Sequence, residues 1–114
     1  MINKVENANI AIVGGGRFCD KLLRHLFSEH FEGRHPEILG VADINDDALG
    51  ITYARSKGIF TCNDYRDICR LEGLDTIVEV TWDLDLARTI ARIKPSDVDL
   101  IDHQDSRFLW DLLQ

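Results

Sequence analysis

The chain has 114 residues, of which 45% are hydrophobic and 29% charged, and its formal net charge is -7. One domain of this length buries roughly two-thirds of its extended surface without covalent staples. The acidic balance, with a sequence pI near 4.9, argues against a nucleic-acid partner, because proteins that bind the phosphate backbone cluster Lys and Arg. The three cysteines, Cys19, Cys62 and Cys69, form no C-x-x-C pair, and the four histidines show no ligand spacing. No metal is implied, and a reducing cytoplasm is the expected home. No apolar run approaches the roughly 18 residues of a membrane span, and the N-terminus lacks the apolar core of a secretory signal.

In chain order, the apolar run 10–13 enters the glycine turn Gly14-Gly15-Gly16 and leads to a helix with Leu22, Leu23, Leu26 and Phe27 on one face. A second strand is expected over 38–42. A second helix follows, begun by Asn45 or Asp46, carrying Leu49, Tyr53 and Ala54, and stopped by Gly58. A third strand over 59–62 precedes a helix capped by Asp64. The fourth strand, over 76–81, precedes a helix begun by Asp83 or Asp85, with Leu86, Ile90 and Ile93 before Pro95. A fifth strand over 100–102 completes the series.

This alternation predicts an α/β fold, a three-layer Rossmann-type domain whose parallel sheet of about five strands has order 3-2-1-4-5 and helices on both faces. Residues 1–105 form that domain, with no repeat and no internal linker. Residues 106–114 are apolar at 108, 109, 110, 112 and 113, denser than one buried stripe requires. A C-terminal helix that starts a connector or packs against a second copy is the expectation, and a homodimer with it.

The glycine turn and the carboxylate that ends the second strand carry the chemistry. Gly14 and Gly16 match G-x-G-x-x-G, and Cys19 fills the third position, where a small residue lets helix and strand pack. Gly14 makes the turn, Gly16 lets a phosphate approach, and the amides of Gly15, Gly16, Arg17 and Phe18 at the helix start face the pyrophosphate. The Arg17 side chain either adds charge there or is solvated. Asp43 stands 24 residues beyond Cys19, near the spacing of about 20 for the acid that holds the adenosine ribose. A carboxylate there repels a 2'-phosphate, so NAD is expected in preference to NADP. Ile44 lines the adenine or packs. Thr81 and Trp82 end the fourth strand beside the crevice where strand order reverses, although burial in a core or an interface competes for the indole. His103 is expected to be structural, Cys19 a packing residue, and the remaining aspartates helix starts and loops.

These residues resemble the NAD(P)-binding Rossmann domain, most closely the N-terminal half of glucose-fructose oxidoreductase/inositol dehydrogenase-like (Gfo/Idh/MocA) enzymes. The likeness rests on Ala11-Ile-Val-Gly-Gly-Gly16, on Leu39-Gly-Val-Ala-Asp43 with Asn45 and Ala48, on Gly58-Ile59 leading to Asp64-Tyr65, and on Leu74-Asp-Thr-Ile-Val-Glu-Val-Thr81. In those enzymes the fifth strand leads to a Glu-Lys-Pro motif whose lysine is catalytic; here the place reads Asp102-His-Gln-Asp105. The chain is also similar to Rossmann-type modules that precede signalling domains in some bacterial sensor kinases, where a stretch like Ser106-Arg-Phe-Leu-Trp-Asp-Leu-Leu113 follows the last strand.

Together these resemblances imply an NAD(H)-binding regulatory or sensor module without catalysis of its own, part of a bacterial signalling protein with a downstream signalling domain. The alternative is the cofactor half of an NAD-dependent oxidoreductase whose substrate domain lies elsewhere. A third reading is a degenerate module that binds a mononucleotide, or nothing, and serves to dimerise.

Overall fold

The structure, a computed structural model, describes residues 8–27 and 37–105. The expected helix over 106–114 lies outside the described residues. Five strands, β1 (Asn9–Val13), β2 (Glu37–Ala42), β3 (Phe60–Cys62), β4 (Thr76–Glu79) and β5 (Asp99–Ile101), form one sheet of order β3-β2-β1-β4-β5. Every pairing is parallel. Helices α1 (Arg17–Leu26), α2 (Leu49–Ser56), α3 (Tyr65–Ile68) and α4 (Leu84–Ile93) connect them. The expected α/β architecture and strand order are what the chain adopts, and the fold is Rossmann-like.

The sheet is covered on both faces because its central strands are apolar in both directions. Ile10 and Ile12 of β1 pack with Cys19, Leu22, Leu23 and Leu26 of α1 and with Ile51 and Ala54 of α2. Ala11 and Val13 point the other way, into a second cluster with Ile68 of α3 and Ile90 of α4. The edge strands β3 and β5 are three residues each and only partly buried, as suits the ends of an open sheet. In β2 the register slips between Ile10 and Ala11: Ile10 pairs with Ile38 and Ala11 with Gly40. Leu39 is therefore the extra residue of a bulge. Among the described residues no helix is long and apolar enough to cross a membrane.

Several expected boundaries and faces shift. α2 is not begun by Asn45 or Asp46; its N-cap is Ala48. Asn45 instead builds the preceding turn, accepting the Asp47 amide on its side chain and the Ala48 amide on its carbonyl. The buried face of α2 is Gly50, Ile51 and Ala54, and Leu49 is exposed. Phe27 falls just past α1 and is exposed, and Ile93 is exposed where Ala87 is buried with Ile90. Asp64 and Asp83 do cap α3 and α4, accepting the amides of Arg66 and Leu86. The Arg66 guanidinium also folds back on Asp64, and this hydrogen bonding holds the Asp64 carboxyl below its usual range. Gly58 ends α2 at φ +74.

Candidate functional site

In a sheet of this order, chain connections leave β1 and β4 in opposite directions, which opens a crevice at their C-terminal ends. The glycine turn sits there, and its three members do three different things. Gly14 adopts φ +110, and its N–H donates to the Ala42 carbonyl at 2.8 Å. A Cβ at Gly14 would lie 2.9 Å from the Val80 carbonyl carbon, so the turn is wedged against the end of β4. Gly15 is buried; its N–H donates to Oδ2 of Asp43 at 2.7 Å, and its carbonyl accepts the Gly50 amide at 2.7 Å. Gly16 is exposed, and a Cβ there would meet nothing within 4 Å.

Gly16 is also the N-cap of α1, with no side-chain cap hydrogen bond. First-turn amides have no carbonyl to bond within their own helix, and the macrodipole adds positive potential there. The Gly15 amide, expected to face a pyrophosphate, donates here to Asp43. Gly16, Arg17 and Phe18 supply the remaining amides at the start of α1.

Asp43 is half-buried at the end of β2. Oδ2 holds Gly15, and Oδ1 accepts the Asn45 amide at 2.8 Å. Each carboxylate oxygen has a second lone pair, so Asp43 can fix the turn and still accept from a ligand hydroxyl. Ile44 beyond it is 90% exposed, which removes the packing role considered for it. Cys19 is fully buried against Gly50 of α2, and burial, with Asp20 and Asp43 adding to it, pushes its thiol up to about 12. A neutral thiol packed against a glycine is the small third residue the turn requires.

A cavity of about 520 Å³ opens on the turn, within the 300–1,000 Å³ typical of ligand pockets. Gly14, Gly16, Arg17 and Phe18 line one side, Asp43 and Ile44 a second, and Thr81 and Trp82 a third. Gly15 alone among the expected site residues does not line it. Trp82 is no core residue: it is 52% exposed, and its indole meets the Phe18 ring edge-on at 5.8 Å.

Sequence reasoning missed Asn63, Tyr65, Asp83 and Leu86, which also line the cavity from the starts of α3 and α4. It missed Gly50, although a glycine inside a helical pattern was a visible signal of close approach. It also missed Glu79, a lone acid inside an apolar strand. That carboxylate is fully buried and bonds both Thr81 and His103. Gln104, at the place where the resembling enzymes carry lysine, is exposed, and its amide donates to Asp102.

The class is thus a Rossmann-like α/β domain with an apolar-walled cavity at its topological switch point. No model of a known protein family matches the chain, and a search of curated proteins finds no significant match.

Proposed function

We propose that the domain binds a nicotinamide dinucleotide in this cavity, NAD in preference to NADP, and serves as a regulatory or sensor module. The observation that carries the reading is the convergence on one cavity of an uncapped helix start, an open Gly16 and a carboxylate with lone pairs to spare. Those residues fit the group. Gly16 leaves room for a phosphate beside the α1 amides, Arg17 is the one cation among the described lining residues, and Asp43 suits a ribose diol. The flat rings of Phe18 and Trp82 suit a planar base or nicotinamide.

Bound NAD supplies a hydride acceptor at its nicotinamide ring; the residues here hold and orient it. Support for sensing over catalysis comes from Gln104, which has no ammonium to act as acid or electrostatic partner. The oxidoreductase reading is kept alive by one observation, the pairing of His103 with buried Glu79, since a carboxylate-oriented imidazole is a common acid-base group. His103 does not line the cavity, so the binding reading ranks first. A downstream α+β domain in the gene past Gln114 would favour the enzyme, and a coiled coil leading to a kinase core the sensor.

Isothermal titration tests the binding. NAD is expected to bind at least about tenfold more tightly than NADP, the penalty of one like-charge contact beside Asp43. No heat with either at millimolar concentration would sink the proposal.

A further inference from the structure

Behind the cavity wall lies a carboxylate that binding does not use. Glu79, the last residue of β4, is fully buried. Its Oε2 accepts the Thr81 amide N–H at 2.7 Å and the Thr81 hydroxyl at 2.5 Å. Its Oε1 accepts the His103 amide N–H at 2.9 Å and lies 2.8 Å from Nδ1 of the same ring. One side chain therefore joins Thr81, which borders the cavity, to His103, which opens the helical turn 103–105 after β5.

Trp82 adds a second connection between the same parts. Its indole lies 5.3 Å from the His103 ring and 5.8 Å from Phe18 on α1. Its backbone has φ +62, a conformation that a bulky side chain adopts only where its surroundings impose it. The surroundings here are the residues on either side, since the Thr81 hydroxyl that donates to Glu79 also accepts the Asp83 amide at 3.1 Å.

We propose that Glu79 is a positioning residue that couples occupancy of the cavity to the segment beginning at His103. A dinucleotide bound against Thr81 and Trp82 changes the hydrogen bonding of His103, and the inference rests on the dinucleotide reading above. A ligand that moves the indole must either break its contact with His103 or shift Thr81, and both residues hang on the same carboxylate. Packed, strained arrangements of this kind change between discrete states rather than gradually. Linkage makes the effect reciprocal, so altering His103 alters affinity at the cavity.

Hydrogen exchange of the full chain, with and without saturating NAD, tests this in the wild type, Glu79→Gln and His103→Ala. In the wild type NAD is expected to slow exchange roughly threefold or more both at the glycine turn and at 103–105. In both variants protection of the turn persists, that at 103–105 is lost, and Kd for NAD changes about fivefold, the low end of typical couplings. A merely structural Glu79 would leave the ligand-dependent difference at 103–105 in place. Protection confined to the glycine turn in the wild type would overturn the coupling and leave the binding reading standing. Absence of NAD binding would overturn both. Should Glu79→Gln fail to fold by circular dichroism, His103→Ala and His103→Gln carry the comparison.

Discussion

Gly14, Gly15 and Gly16 are adjacent and chemically identical, yet substitution should separate them sharply. Alanine at Gly14 combines φ +110 with a 2.9 Å approach to backbone, and a loss of about 2 kcal/mol or more is expected in urea unfolding. Alanine at Gly16 meets open space, so stability should stay within about 0.5 kcal/mol while NAD affinity falls tenfold or more. Equal losses of stability at both positions would show that Gly16 is only a turn residue. Cys19 gives a second residue-scale expectation. Its folded-state pKa of about 12 lies above the usual 9.0, so its contribution to stability is intact below about pH 9 and is lost as pH rises toward 12, where the unfolded chain sheds the proton first. At pH 8, alkylation should label the partly exposed Cys62 and Cys69 well before Cys19; rapid labelling of Cys19 in the folded protein would contradict its packing role.

At the scale of elements, strand cores were legible in the sequence and their ends were not. Apolar runs locate β1, β2 and β4, but β4 ends at Glu79, whose carboxylate bonds Thr81 and His103, a long-range arrangement no local pattern shows. The bulge at Leu39 was hidden because the next residue, Gly40, has no side chain to break the alternation. For α2, spacing selected Leu49, whereas the contact that matters is Gly50, whose N–H sits 2.7 Å from the Gly15 carbonyl. Helix propensity alone would make Gly50→Ala stabilising by about 1 kcal/mol. A Cβ there would lie 2.7 Å from that carbonyl oxygen and 2.8 Å from the Cys19 sulfur, and overpacking costs about 1–3 kcal/mol. Net destabilisation of about 1 kcal/mol is expected, and a higher urea midpoint for Gly50→Ala would refute the tight α2-turn packing.

For the whole molecule, strand alternation and right-handed crossovers give a doubly wound parallel sheet, and the glycine turn after β1 points to the dinucleotide-type order 3-2-1-4-5 that the sheet has. Eight of the nine expected site residues line one cavity; Gly15 is the exception because Asp43 uses its amide for the fold. The Glu79–His103 pair was not legible, since β4 and β5 bring together residues 24 positions apart. Asp43 holds the turn as well as facing the cavity, so Asp43→Asn, which keeps an acceptor oxygen, is a cleaner probe than alanine. The central claim is that NAD lies along the glycine turn and the Thr81–Trp82 edge. Amide chemical-shift mapping during NAD titration tests it most directly: the largest shifts are expected at Gly16, Arg17, Phe18, Thr81 and Trp82, whereas shifts confined to another face, or none at millimolar NAD, would contradict the claim.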